Sequence, residues 1–121
     1  MDEIRRGQVW WVDLPEALRG SEPGFRRPVV VVQDDYFNRS KLATVVVVPV
    51  TKNLGLAKLP GNVLIARAEA GLRHDCVANV TQLITVDRRF FADPGHALAT
   101  LARSTMRLID EGVALVLSLG T

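Results

Sequence analysis

Two arginines and a threonine are the side chains whose types and positions best suit chemistry on a phosphate. Arg26 and Arg27 stand directly before an apolar run that begins at Pro28, and Thr51 ends a second apolar run over 44–51. A guanidinium can hold two phosphate oxygens through parallel N–H donors, and a hydroxyl can donate one further hydrogen bond. An arginine fork and a hydroxyl are enough to stabilise charge that develops on a phosphorus centre.

Other catalytic constellations are nearly absent from the chain. It has two histidines, His74 and His96, and one cysteine, Cys76, so a zinc site would need carboxylates from scattered positions. His74 and Cys76 would share a strand face, but one such pair is a weak metal signal. No glycine-rich phosphate loop opens a helix. We therefore expect no metal and no cofactor.

RNA cleavage is a reaction that this short inventory can support. The 2′-hydroxyl of RNA lies next to the scissile phosphorus, so the reaction needs neither an enzyme nucleophile nor a metal. The protein has only to orient this attack and stabilise the pentavalent phosphorane.

Five short motifs follow one another along the chain. They are Arg6-Gly7-Gln8-Val9-Trp10, Arg26-Arg27-Pro28-Val29-Val30, Val48-Pro49-Val50-Thr51, Ala57-Lys58-Leu59-Pro60 and Gln82-Leu83-Ile84-Thr85-Val86-Asp87. In this order they resemble the MazF/PemK family of toxin endoribonucleases. The resemblance runs nearly end to end, and its specificity lies in the ordered set.

The resemblance implies catalytic roles for Arg27 and Thr51. The family's arginine is often given an acid–base role, but a guanidinium is almost always protonated and makes a poor base. We interpret Arg27 mainly as a bidentate phosphate clamp that can donate a proton to the leaving 5′-oxygen, and Thr51 as a hydrogen-bond donor to a phosphate oxygen. The alternatives are a surface arginine before a strand and a threonine that caps a turn.

Five further residues are candidates for RNA binding. Ser21 and Glu22 match the family's loop motif, with loop capping as the alternative role. Gln33 and Gln82 are amides at matching positions, where structural support is the favoured alternative. Arg26 would add phosphate affinity without sequence specificity.

The adjacent Trp10 and Trp11 could stack on bases. Neighbouring strand tryptophans more often fill a core on one face and an oligomer interface on the other, and the sequence favours that interpretation.

The chain departs from the family pattern at four positions. Asp34 replaces a common asparagine, and Ile84 replaces a common arginine. Asn79 and Thr81 stand where the PemK branch has an arginine and an aspartate. A PemK-type site is therefore not carried over, and no base preference is predicted.

Composition indicates one globular domain over 1–121, because 121 residues with 48% hydrophobic content leave no room for a second core. A single cysteine, no apolar run long enough to span a bilayer and no signal peptide favour a cytoplasmic location. The net charge is only +2, but seven basic residues lie in the first third of the chain. This asymmetry favours an anionic partner.

The predicted elements are mostly strands. Alternation or β-branched runs predict strands over 8–14, 29–33, 44–51, 62–66 and 76–86, the last bent near Gln82. A long mobile loop is predicted over 15–27, a turn over 93–95, and a helix over 102–119 that Gly112 slightly weakens. Pro49 lacks an N–H and requires a bulge or a free edge. The fold class is mainly β with a C-terminal helix, a small SH3-like barrel of mostly antiparallel strands.

The function implied is that of a toxin in a toxin–antitoxin pair. It would be a sequence-preferring, metal-independent endoribonuclease that cleaves single-stranded mRNA to 2′,3′-cyclic phosphate and 5′-hydroxyl ends. Its partners would be the RNA, a cognate antitoxin with an acidic C-terminal tail, and a second copy in a homodimer. Two alternatives stay open: a CcdB-like toxin that binds DNA gyrase, which the lack of a C-terminal tryptophan disfavours, and an inactive RNA-binding relative.

Overall fold

Seven strands pair in antiparallel fashion in the computed structural model, which describes residues 2–14, 26–91 and 95–120. Their order is β4-β5-β3-β2-β1-β7, and β6 also pairs with β3. The strands are β1 Gln8–Asp13, β2 Arg26–Val31, β3 Thr44–Thr51, β4 Val63–Ile65, β5 Cys76–Ala78, β6 Ile84–Asp87 and β7 Ala99–Thr100. The helices are α1 Asp35–Asn38, α2 Arg67–Ala70 and α3 Arg103–Val116, with 3-10 turns at Leu54–Lys58, Val80–Gln82 and Arg88–Phe90.

The central strands are buried on both faces, as their β-branched runs predict. On one face Val30 and Val48 pack in a cluster that includes Ile109 of α3. On the other face Val29 and Val47 pack in a second cluster around Trp10. Both clusters therefore depend on β2 and β3.

Pro49 lies where β3 changes partners. Upstream of it β3 pairs with β6 over Thr44–Val47, and downstream Val50 and Thr51 pair with β5. The Pro49 carbonyl accepts a hydrogen bond from Asn79 N at 2.9 Å. Since the N–H and C=O of a strand residue point to the same side, the missing N–H falls in the gap between β5 and β6. The irregularity expected at Pro49 is thus the switch between two neighbouring strands.

Several predicted boundaries are corrected. The strand predicted over 76–86 is two strands, β5 and β6, separated by a 3-10 turn at Val80–Gln82. Arg26 and Arg27 belong to β2 rather than to the preceding loop, while 15–25 lie outside the described residues. Most of the turn predicted over 93–95 also lies outside them. The prediction of a mainly β chain with mostly antiparallel strands and a C-terminal helix is confirmed. Within the described part of the chain, no helix has both the length and the apolar character to cross a membrane.

Gly112 has a packing role in α3 that its helix propensity does not reveal. A Cβ atom added there would lie 2.0 Å from the carbonyl oxygen of Gly61, which itself has a φ of +93°. The helix backbone therefore lies directly on the turn before β4, where only glycine fits.

Replacing Gly112 by alanine is expected to destabilise the protein. Helix propensity alone predicts a gain of about 1 kcal/mol, whereas overpacking against the Gly61 carbonyl predicts a loss of about 1–3 kcal/mol. Urea unfolding of Gly112→Ala beside Glu111→Ala, at an exposed neighbouring position, would measure the difference. A more stable Gly112→Ala protein would contradict the packing role.

Candidate active site

A groove of about 700 Å³ lies at the sheet edge where β2 begins and β3 ends. Arg26 and Arg27 of β2 line one part of it, and Thr51 lines another. The structure therefore brings both predicted catalytic side chains to one groove. The other polar or aromatic lining residues are Trp11 of β1, Lys52 after β3, and Arg73 and His74 before β5.

Strand register explains why Arg27 and Thr51 line the same groove. Val29 of β2 pairs with Pro49 of β3 in the antiparallel ladder. The same register, continued by two residues, puts Arg27 opposite Thr51. On its other side Thr51 pairs with Val77 of β5, and the loop before β5 carries His74. Thr51 therefore joins the first wall of the groove, formed by the start of β2 and the end of β3, to the second wall, formed by the loop before β5.

The Thr51 hydroxyl takes part in the turn that follows β3. Its Oγ1 accepts a hydrogen bond from Asn53 N at 3.1 Å. The turn-capping alternative therefore describes a real contact. Because the hydroxyl oxygen acts there as an acceptor, its own proton can still be donated to a ligand. Capping holds the side chain in place and is compatible with phosphate binding.

The electrostatic character of the groove is cationic. Arg26, Arg27, Lys52 and Arg73 line it, and the described lining residues include no carboxylate. Arg26 Nε lies 3.4 Å from Asp13 Oδ1 across the β1–β2 ladder, and both side chains are about half exposed. Exposed pairs of this kind contribute little energy.

The two tryptophans have different environments. Trp10 is fully buried, with its ring edge-on to Phe91 at a centroid distance of 5.4 Å. Trp11, on the opposite face of β1, is half-buried and lines the groove. The core role predicted for one tryptophan is confirmed. The other presents an aromatic surface in the groove, where a base could stack.

Lys52, Arg73 and His74 were not among the residues predicted for the site. Lys52 could have been suspected, since it directly follows Thr51. Arg73 and His74 stand more than 20 positions along the chain from Thr51 and approach it only through the β3–β5 pairing. That pairing has no signal in the local sequence.

Cys76 is a buried thiol at the base of the groove. Its Sγ lies 3.6 Å from the Ile65 carbonyl oxygen. Burial, with the nearby charges of Asp75 and Glu69, raises the pKa of Cys76 to about 11. His74 precedes β5 and does not share a strand with it. Among the residues that the structure describes, no three metal-binding side chains come together.

The thiol of Cys76 is expected to be unreactive in the native protein. At pH 8 a thiol of that pKa is about 0.1% thiolate, whereas an unperturbed cysteine is about one quarter thiolate. Ellman's reagent should therefore modify native Cys76 at least about 100-fold more slowly than the guanidinium-unfolded chain. The native rate should rise as the pH approaches 11. Equal rates in both states would contradict the raised pKa and the burial.

Gln33, a predicted RNA-binding residue, is buried and fully engaged elsewhere. Its Nε2 donates to Asn38 Oδ1 at 2.9 Å and to the Thr44 carbonyl at 3.0 Å, while its Oε1 accepts from Val46 N. The structure thus gives Gln33 the supporting role that the sequence favoured. It does not bring Gln33 to the groove.

Asp35 belongs to the same network. Burial alone would raise the pKa of Asp35, but hydrogen bonds from Arg6 N and Asn38 and the charges of Arg39 and Arg5 together lower it. The carboxylate therefore stays ionised and anchors α1 to the start of the chain.

The remaining predicted residues are not brought to the groove. Gln82 is exposed in the 3-10 turn between β5 and β6. Ser21 and Glu22 lie outside the described residues. The departures from the family pattern have structural roles: Asp34 caps α1 by accepting from Tyr36 N at 2.8 Å, and the side chain of Asn79 accepts from Asn62 and Thr81.

The fold and this groove define a known class of toxins. The chain belongs to the PemK-like, MazF-like toxin family of type II toxin–antitoxin systems, whose family model matches residues 5–117. It is 38% identical over 116 residues to endoribonuclease MazF2 of Mycobacterium bovis, a match that covers 96% of this chain and 98% of that protein. Endoribonuclease MazF6 of Mycobacterium tuberculosis is equally similar over the same length.

Solved structures share the fold. A mycobacterial endoribonuclease in complex with its cognate antitoxin superposes with a TM-score of 0.75 at 25% identity, covering 98% of each chain. The toxin MazF-mt6 of Mycobacterium tuberculosis has a TM-score of 0.74 at 18% identity, covering 94% of this chain and 99% of that one. The mostly antiparallel half-barrel with a C-terminal helix is therefore the architecture of this family.

Proposed function

We propose that this chain is the endoribonuclease toxin of a toxin–antitoxin pair and that it cleaves single-stranded RNA in the groove. The observation that carries the proposal is the placement of Arg27 and Thr51 in one groove lined by cations and by no described carboxylate. Its relatives at 38% identity are named endoribonucleases, which supports the same activity.

In the proposed mechanism the 2′-hydroxyl attacks the adjacent phosphorus. The 2′-O–P bond forms and the P–O5′ bond breaks, which leaves a 2′,3′-cyclic phosphate and a 5′-hydroxyl. The Arg27 guanidinium holds two non-bridging oxygens, whose negative charge grows in the phosphorane. The Thr51 hydroxyl donates to one of the same oxygens. Neither role requires a metal ion.

A long RNA incubated with the purified chain, with and without EDTA, tests this proposal. We expect cleavage at a limited set of sites, 2′,3′-cyclic phosphate on the upstream fragments, and equal rates in both samples. A requirement for a divalent ion, or 3′-hydroxyl products, would contradict the mechanism. RNA binding without cleavage would instead favour the inactive RNA-binding relative.

An acidic antitoxin segment is the partner that suits the same groove. The mycobacterial endoribonuclease of similar fold was solved with its cognate antitoxin, and MazF of Deinococcus radiodurans was solved with MazE. A disordered acidic C-terminal tail can fold over a basic surface as it binds. Such a tail would compete with RNA for Arg27 and Arg73.

A homodimer is also supported by the surface of this chain. Leu64 of β4 and two leucines of α3, Leu108 and Leu115, are each more than half exposed. They line a second groove together with Gly61 and Gly112. Exposed apolar surface of this kind favours coverage by another protein surface, and a second copy is the partner that we propose.

A further inference from the structure

The proposed cleavage needs a group that accepts the proton of the 2′-hydroxyl. Arg27 cannot do this, since a guanidinium remains protonated in proteins. Thr51 cannot do it either, since an alcohol gains a second proton only in strong acid. A base must therefore come from another residue or from solvent.

The described lining of the groove contains few candidates for that base. Arginine and lysine side chains are protonated at neutral pH, which excludes Arg26, Lys52 and Arg73. Cys76 is buried, and burial raises its pKa to about 11. The remaining ionisable side chain is that of His74, and imidazole is the side chain that exchanges protons near neutrality.

His74 lines the groove that also contains Arg27 and Thr51. It is an exposed residue of the loop before β5, three positions before Val77, and Val77 pairs directly with Thr51. We propose that His74 is the general base that removes the proton of the attacking 2′-hydroxyl, an inference that rests on the proposed ribonuclease function.

Water completes the proton balance of this step. The neutral imidazole of His74 takes the 2′-hydroxyl proton while the 2′-O–P bond forms. As the P–O5′ bond breaks, the 5′-oxygen takes a proton from water and becomes a hydroxyl, which leaves a hydroxide ion. The imidazolium then returns its proton to solvent and neutralises that hydroxide, so both the imidazole and the water are restored.

Charged groups surround His74 on each element that forms the groove. The cations are Arg26 and Arg27 of β2, Lys52 after β3, and the adjacent Arg73. The anions nearby are Asp13 of β1, which pairs with Arg26, Asp75, which follows His74 in the chain, and Glu69 of α2, which acts on the neighbouring Cys76. Comparison of a His74 variant with wild type, rather than the wild-type profile alone, is therefore needed to isolate the role of His74 within this charge cluster.

Single-turnover cleavage of a short RNA that contains one mapped site tests the inference. The rates of wild type, His74→Ala and His96→Ala are measured from pH 5 to 9. His96 is the matched control, because it is exposed, contacts the Ala97 carbonyl and does not line the groove. We expect His74→Ala to be slower by about 10²–10⁴, to lose the rise in rate between pH 5 and 8, and to regain part of its rate when imidazole is added. His96→Ala should behave as wild type.

Other results would overturn the inference. A His74→Ala rate within about threefold of wild type would exclude the base role, because a lost general base costs far more. A slow variant with an unchanged pH profile and no response to imidazole would show that His74 only positions the substrate. A similar loss in Glu22→Gln, with His74→Ala active, would assign the base to Glu22. If wild type itself fails to cleave any RNA, the proposed function fails and this inference falls with it.

Discussion

Replacing Arg27 by alanine is expected to abolish most RNA cleavage while the fold stays intact. The guanidinium lies at the start of β2 in the same groove as Thr51, where the proposed mechanism places the charge that develops on the phosphorane. Loss of one such preorganised group typically costs about 10²–10³ in rate. Arg27→Lys keeps the charge but not the two parallel donors, so its rate should lie well below wild type. Single-turnover rates with excess enzyme would measure both variants.

A matched arginine separates catalysis from general charge. Arg107 is exposed on α3 and does not line the groove. Arg107→Ala removes the same charge from the chain and should cleave as wild type does. Circular dichroism and urea unfolding would show that all three variants are folded. Equal rates for Arg27→Ala and Arg107→Ala would remove Arg27 from the site.

A single deoxyribose in the RNA is expected to have the largest effect of all. If the 2′-hydroxyl is the nucleophile, its removal immediately 5′ of the scissile phosphate leaves no atom to attack, and cleavage there should stop. The same replacement one nucleotide away should alter mainly binding. Gel analysis of the two otherwise identical oligonucleotides would show the difference.

The outcome is informative because the protein is unchanged in this experiment. Any loss of cleavage then reflects the chemistry of the substrate and not the folding of a variant. Competition between the deoxy oligonucleotide and the all-ribose substrate would show that the former still binds. Cleavage that continues at the deoxy position would mean that water or a protein group attacks the phosphorus, and the roles given to Arg27 and Thr51 would have to change.

Local patterning was enough to predict β2 and β3, the two strands that form the first wall of the groove. The bounds predicted for β3, Thr44–Thr51, are those observed, because a β-branched run broken only by Pro49 permits few other structures. The assignment of Arg27 and Thr51 to one site came from the family resemblance. The pattern placed the start of β2 too late. The two arginines before Pro28 were predicted to lie in the loop, but they pair with β1.

The second wall, the loop before β5 with Arg73 and His74, could not be predicted, because only pairing between distant segments brings it to the groove. The run over 76–86 reads as one strand, and only its contacts with two parts of β3 show where it breaks. Arg73 and His74 reach the groove through that pairing. Gly112 was judged by helix propensity, which contains no information about Gly61 across the interface. Each error concerns a contact between distant segments.

The division of β3 at Pro49 limits how such a toxin can be controlled. One strand of eight residues bonds to β2, β5 and β6, and both hydrophobic clusters rest on it. Displacing the strand itself would break its bonds to β2, β5 and β6 and open both clusters, at close to the cost of global unfolding. A silent form in which β3 has moved is therefore not accessible at low cost. We expect control to come instead from occupation of the groove, as the proposed antitoxin segment would provide.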